Sequence, residues 1–424
     1  MKLQGSITIP GDKSITHRAI ILSAIAEGES NIIGWLPAED CRQTLNAMRA
    51  MGISITEGEN VLQILGRGLL GLKEPGNFID CGNSGTTMRI LAGLLAGQSF
   101  FSILTGDNSL RRRPMGRVVD PLHKMGAHIF GRGNATLAPL AIRGKGLTGI
   151  EYTMPIASAQ VKSALLLAGL YASGVTGVTD PFDSRDHTER MLKYFGAPVK
   201  QKDARCSVVG GKGFQGKTIK IPGDFSSAAF FIVATLIVKD SSITIKNVGM
   251  NPTRTGLLTI LKKMGATIER SGADNPLDYE PTANIKISAS NLKGAGIIEG
   301  NIIPKMIDEF PILCVAAASA EGETIIRGAK ELRVKESDRI TTMTKALQAL
   351  GVDAKELPDG IHITGSKQWT VREGMECKTQ GDHRVAMAMK IAALKTEGKI
   401  GIDDERCIDT SFPAFNNLLE SLQH

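Results

Sequence analysis

The chain has 424 residues, too many for one simple core, so two or three domains are expected. A net charge of +7 with 42% hydrophobic residues suits a globular protein that meets nucleic acid, a membrane surface or small anions. Aromatic residues make up only 4% and no basic run exceeds Arg111-Arg112-Arg113, which argues against base-stacking platforms and for small anionic substrates.

In chain order, a strand over Ser6 to Ile9 is broken by Pro10-Gly11, and Asp12 is placed to cap a helix that runs from Lys13 to Ala26 and stops at Gly28. Lys13 and His17, and Ser14 and Arg18, form i, i+4 pairs on its first turn, so full positive charges join the partial charge of a helix N-terminus. Read alone, the stretch is equally a capped surface helix. The echo Ile221-Pro222-Gly223-Asp224-Phe225-Ser226-Ser227 halfway along the chain favours a built site.

A helix that ends in a short turn and passes into a strand recurs six times, at positions 28, 97, 174, 240, 322 and 398. Five amphipathic helices then close on Gly52, Gly126, Gly196, Gly265 and Gly351, and the sixth unit ends at the C-terminus instead. The first helix of each unit is apolar nearly all round, as in Thr86 to Ala96, Val161 to Ala172, Ala228 to Val238, Pro311 to Ala320 and Val385 to Leu394, and is expected inside. The second helices, such as Asp40 to Met51, Val118 to Met125, Thr188 to Phe195 and Ser337 to Leu350, carry a polar face. Three units on each side of Ile221-Pro222 suggest two similar lobes, with the chain crossing between them near Pro10-Gly11 and Pro222-Gly223. Polar and charged residues precede nearly every buried helix, and if both lobes turn these N-termini toward one cleft, several helix dipoles focus on one anionic ligand.

Several stretches are candidate ligand contacts. Cys81-Gly82-Asn83-Ser84-Gly85-Thr86-Thr87-Met88-Arg89 opens a buried helix with glycines that let a ligand approach the backbone. Arg113, held by Pro114, suits a carboxylate or phosphate clamp. Ser158 and Gln160 are hydrogen bonders at a helix start, Arg185 is a further anion contact, and His187 reads as a cap or surface residue. Asp308 and Glu309 place carboxylates at a buried-helix entrance, where desolvation can tune an acid/base group. Lys335, Glu336, Arg339 and Arg384 complete the set. Cations thus outnumber the acid/base candidates Asp308 and Glu336, as expected of an enzyme that handles two polyanionic substrates.

The six cysteines, Cys41, Cys81, Cys206, Cys314, Cys377 and Cys407, lack C-x-x-C spacing and are read as reduced and structural, with no metal site. No cationic and apolar leader opens the chain and no apolar run reaches membrane-spanning length, so a cytoplasmic protein is expected.

The stretches P-G-D-K-S-x-x-H-R, G-N-S-G-T-T-M-R, R-R-P-M, S-A-Q-V-K-S-A-L, R-V-K-E-S-D-R and G-D-H-R-x-A-M closely resemble the EPSP synthase family of enolpyruvyltransferases, in order and over essentially the whole chain. The resemblance implies an α/β fold of α+β repeats. It would be a two-lobed inverse α/β barrel of six βαβαββ units, three per lobe, with buried helices. The first lobe would span residues 11–221 and hold most shikimate 3-phosphate contacts. The second would span residues 1–10 plus 222–424 and hold the acid/base residues and part of the phosphoenolpyruvate site. The implied reaction moves the enolpyruvyl group of phosphoenolpyruvate to the 5-hydroxyl of shikimate 3-phosphate, on the way to chorismate and the aromatic amino acids, with glyphosate as an inhibitor. By resemblance Asp308 is the base toward the hydroxyl, Glu336 works at the methylene carbon and Lys13 assists at the phosphate. Lys13, Gly85, Arg113, Gln160, Arg339 and Arg384 would surround phosphoenolpyruvate. Lys13, Ser14, Arg18, Ser158, Ala159, Gln160, Arg185, Asp308 and Lys335 would hold shikimate 3-phosphate. No cofactor or metal is implied, nor nucleic acid or membrane, and a monomer is expected.

Two departures stand out. Where one branch of the family has a lysine before T-F-P, this chain reads Asp409-Thr410-Ser411-Phe412-Pro413, and Ala159 stands where a second serine is often found. The nearest rival is the sister transferase acting on UDP-N-acetylglucosamine, which carries a cysteine before R-P, whereas Asp107 to Pro114 contains none. A rival of another class, a nucleic-acid binder, would show salt-steep binding to polynucleotides.

Overall fold

Six helices that are apolar nearly all round set the architecture: α1 Lys13–Ile25, α2 Gly85–Ala96, α3 Ala159–Gly169, α4 Phe225–Ile237, α5 Phe310–Ser319 and α6 His383–Ala393. In this computed structural model residues 1–272, 279–371, 374–396 and 400–424 are described. Beyond its first turn each of these helices is almost wholly buried, which their all-round apolar faces require.

Helices α1 to α5 each feed the second strand of a four-stranded sheet. In the sheet after α2, Phe101–Thr105 pairs in parallel with Ile79–Asp80, which precedes the helix, and antiparallel with Leu137–Arg143. The two sheets at the chain crossings take their parallel edge from distant sequence. Thr218–Lys220 pairs with Glu27–Ile33 after α1, and the N-terminal strand Gln4–Thr8 pairs with Ser242–Gly249 after α4. These long-range pairings account for the division of the chain into Gly11–Ile221 and Met1–Pro10 with Pro222–His424. Strand order is linear in every sheet. Among the described residues the sixth repeat pairs Glu376–Cys377 with Gly401–Ile402; farther on, Phe415 packs edge-on against Phe230 and at a tilt against Phe231 of α4, and Phe412 packs edge-on against Phe231.

The glycines that close the five outer helices, Gly52, Gly126, Gly196, Gly265 and Gly351, all have positive φ, so the left-handed turn expected at each is present. Between α2 and α3 the backbones approach so closely that a Cβ on Gly93 would lie 2.1 Å from the Ala164 carbonyl oxygen. That contact brings the two helix starts side by side. Helix α3 ends at Gly169 rather than Ala172, because Ala172–Ser173 leaves the helix to pair with Leu147–Thr148. The sixth turn, at Glu397-Gly398-Lys399, lies outside the described residues.

Candidate active site

In the unit Gly11–Ile221 the starts of three buried helices are bonded to one another through side chains. Asp12 caps α1, its Oδ1 accepting from the Ile15 amide at 2.9 Å, and Lys13 Nζ reaches Asp40 Oδ2 at 3.0 Å. Arg18, one turn on, is 4% exposed; its Nε donates to Thr188 Oγ1 at 2.6 Å and its Nη2 to Ser163 Oγ at 2.7 Å. Ser163 in turn donates to the Ala159 carbonyl at the start of α3. A buried chain joins α1 to α2, with His17 Nδ1 2.7 Å from Thr44 Oγ1, which is 2.7 Å from Thr87 Oγ1. Burial, helped by Lys13 and Arg18, holds His17 well below the usual imidazole range, so its ring stays neutral.

Helix α2 is capped by Ser84, whose Oγ accepts from the Thr87 amide, and α3 by Ser158, whose Oγ accepts from Val161. Arg113 donates to the carbonyl and side-chain oxygen of Asn83, next to Gly85. Gln160 is fixed at both ends of its amide, with Nε2 on Thr86 Oγ1 at 2.9 Å and Oε1 on Arg89 Nη1 at 2.7 Å. Arg185 sits half-buried in a turn pinned from below, where Lys162 Nζ binds Asp180, Glu189 and the Ser184 carbonyl. Cations therefore gather at the starts of three helices, where side-chain charge adds to the positive end of the helix dipole, the arrangement that binds phosphate and carboxylate groups.

In the unit Met1–Pro10 with Pro222–His424, Arg339 is the hub. It is 1% exposed, its Nε bonds Asp382 Oδ2 at 2.8 Å, its Nη2 bonds Glu336 Oε2 at 2.7 Å, and its Nη1 lies 3.5 Å from Asp308 Oδ1. Burial works against its charge, but Asp382 and Glu336 outweigh that and raise its pKa. Asp308 also faces Lys335 Nζ at 3.8 Å and Arg384 Nη2 at 3.9 Å, while its carbonyl accepts from Arg384 Nη1. Asp382 caps α6 through the Arg384 amide. Glu309 turns the other way, to Ser226 beside the α4 cap Asp224, where Arg254 completes the cluster. The echo of the first motif thus repeats the aspartate cap, but Phe225 stands in place of Lys13 and the cation beside this cap is Arg254, from a later turn of the chain. In the segment before Phe412-Pro413, Cys407 and Ile408 pack inward while Asp409 is exposed.

Of the candidates gathered from sequence, Arg18, Arg113 and Gln160 are bonded to the helix starts or the loops beside them in Gly11–Ile221, and Asp308, Lys335, Glu336, Arg339 and Arg384 form one charge cluster in the other unit. The partners that hold them, Asp40, Arg89, Lys162 and Asp382, were not among them. Asp382 was visible as a polar residue before a buried helix, and Arg89 and Lys162 as charges inside apolar helices, which are buried only when paired. His187 is 1% exposed rather than on the surface, because the helix His187–Phe195 packs its first turn inward. Among the described residues no group of His, Cys, Asp or Glu could hold a metal ion, and no helix is long and apolar enough to cross a membrane.

The family model described as EPSP synthase (3-phosphoshikimate 1-carboxyvinyltransferase) matches residues 1–419. The chain is 53% identical to the 3-phosphoshikimate 1-carboxyvinyltransferase of Geotalea uraniireducens over 420 residues, covering 99% of this chain and 97% of that protein. A solved EPSP synthase from Acinetobacter baumannii superposes with a TM-score of 0.86 at 45% identity, covering 99% of this chain and 96% of that one. The enolpyruvyl transferase NikO from Streptomyces tendae shares the fold alone, with a TM-score of 0.79 at 15% identity and coverage of 99% and 95%. A match of this length and identity, on a chain whose helix starts carry the same motifs, means that the chain belongs to the EPSP synthase family.

Proposed function

We propose that this chain transfers the enolpyruvyl group of phosphoenolpyruvate to the 5-hydroxyl of shikimate 3-phosphate, releasing phosphate and giving 5-enolpyruvylshikimate 3-phosphate. The observation that carries the mechanism is that one buried guanidinium, Arg339, touches both candidate acid/base carboxylates, Glu336 at 2.7 Å and Asp308 at 3.5 Å. Addition needs a base to take the hydroxyl proton as oxygen bonds to C2 of phosphoenolpyruvate, and an acid to protonate C3. Elimination then breaks the C2–O bond to phosphate while a proton leaves C3. Asp308 is assigned the hydroxyl proton and Glu336 the proton at C3. Lys13 is assigned the departing phosphate, where a cation stabilises the growing charge.

Phosphoenolpyruvate is assigned Lys13, Gly85, Arg113, Gln160, Arg339 and Arg384. Shikimate 3-phosphate is assigned Lys13, Ser14, Arg18, Ser158, Ala159, Gln160, Arg185, Asp308 and Lys335. The cation-rich helix starts of Gly11–Ile221 support its share of both sets, and the paired carboxylates of the other unit support the acid/base assignment. The inverse-barrel description of each lobe is supported by buried helices and by strands such as Leu137–Arg143 that alternate buried and exposed residues. A cytoplasmic monomer is the state in which this reading is simplest.

The test is a coupled phosphate-release assay with phosphoenolpyruvate and shikimate 3-phosphate, without added metal. Release that requires both substrates is expected; release from phosphoenolpyruvate alone, or none, refutes the reading.

A further inference from the structure

Arg89 lies outside every set assigned above, yet its guanidinium connects three members of the phosphoenolpyruvate set. Its Nη1 donates to Gln160 Oε1 at 2.7 Å, and its Nη2 donates at 3.2 Å to the carbonyl of Pro114, the residue after Arg113. A Cβ built on Gly85, one helical turn earlier, would lie 2.8 Å from the same Nη1 and 3.5 Å from Arg113 Nη1. Gly85 does not have positive φ, so its lack of a side chain is not required by backbone conformation. What requires it is the space that Arg89 fills.

We infer that Arg89 is a positioning and specificity-determining residue that sets the Gln160 amide and the Arg113 loop for phosphoenolpyruvate, and that Gly85 is glycine to let it do so. The inference rests on the proposed reaction. Arg89 is 8% exposed, and the end of an arginine chain moves more cheaply than backbone. A methyl group at position 85 therefore displaces the guanidinium before it displaces the helix. Gln160 loses its oxygen partner and the Arg113 loop loses the Pro114 tie, so the effect reaches phosphoenolpyruvate through both. Gln160 is also assigned to shikimate 3-phosphate, but it is one of nine residues assigned to that substrate, whose binding should therefore fall much less than that of phosphoenolpyruvate.

The experiment is a double-mutant cycle on the full-length enzyme, with KM for each substrate and calorimetric binding of shikimate 3-phosphate by itself. Gly85→Ala and Arg89→Ala are each expected to raise the phosphoenolpyruvate KM about tenfold, and the double variant to stay within about threefold of Arg89→Ala, because the methyl then has room. Penalties that multiply to about a hundredfold overturn the inference. So does loss of shikimate 3-phosphate binding in step with phosphoenolpyruvate. Arg89→Lys keeps the charge but not the forked geometry and is expected to stay impaired; full recovery would show that charge alone matters. It also replaces Arg89→Ala in the cycle, with the same expected non-additivity, should the alanine variant not fold. A crystal structure of Gly85→Ala reads the geometry independently of activity: Arg89 moved off Gln160 supports the inference, and an unmoved pair overturns it. Failure of the proposed reaction would appear separately, as a wild-type chain that releases no phosphate.

Discussion

Replacing Asp382 by asparagine tests whether the buried Arg339 hub holds its unit together. Asp382 is fully buried and Arg339 is 1% exposed. The carboxylate accepts from Arg339 Nε at 2.8 Å and Nη2 at 3.3 Å, from Ser337 Oγ at 3.0 Å and from the Arg384 amide at 3.0 Å. Asparagine can still cap the helix, so the loss is chiefly the counter-charge of a desolvated guanidinium, which costs about 3–5 kcal/mol when one partner of a buried pair is removed. At a urea slope of about 3 kcal/mol/M this corresponds to a midpoint lower by about 1–1.7 M. Trp369 lies in this unit and Trp35 in the other, so fluorescence of Trp369 in a Trp35→Phe background reports the transition, and the cost of that background cancels. Burial pushes the Asp382 carboxyl up, but Arg339 outweighs it and holds the carboxyl below its ordinary value. A depressed folded pKa means the stabilisation is complete above the unfolded value near 4 and is lost as pH falls through the folded value. The gap between wild type and Asp382→Asn should therefore be full at pH 7 and shrink below about pH 4. A midpoint change under about 0.3 M at pH 7, equivalent to less than about 1 kcal/mol, would refute the reasoning.

Asp308→Asn should lower turnover by roughly two to four orders of magnitude while both substrates still bind, and a loss under about tenfold removes Asp308 as the base. Glu336→Gln should slow exchange of solvent deuterium into the methylene of phosphoenolpyruvate more than it weakens substrate binding; unchanged exchange would move that role elsewhere. Native enzyme should react with a thiol reagent only after unfolding, since all six cysteines are buried thiols and burial pushes Cys206, Cys377 and Cys407 up to about 12. In the unit Gly11–Ile221, His17 is held neutral, so the unfolded chain binds its proton first and stability should fall as pH drops below about 6.5; a His17→Asn variant should lack that part of the slope.

The repeat, the burial of six helices and the caps Asp12, Ser84, Ser158 and Asp224 were legible in the sequence because each is a local matter. All-round apolarity leaves a helix nowhere to go but inside, and a short polar side chain before it meets the free amides of the first turn. The same locality made Lys13, Arg18, Arg113, Asp308, Glu336 and Arg339 visible as candidates, since they stand at helix starts or in turns. What only tertiary structure decided is which charge answers which. Arg339 lies 43 positions from Asp382 and Arg89 lies 71 from Gln160 along the chain, and no period or spacing reports a pairing across such a gap. Glu309 shows the limit most directly: adjacent to Asp308 in sequence, it turns to Ser226 while Asp308 faces Lys335, Arg339 and Arg384. Likewise Gly85 could be placed at a helix start from sequence, but the atom that fills the space beside it belongs to Arg89, because packing between helices, not composition, sets where a long side chain can lie.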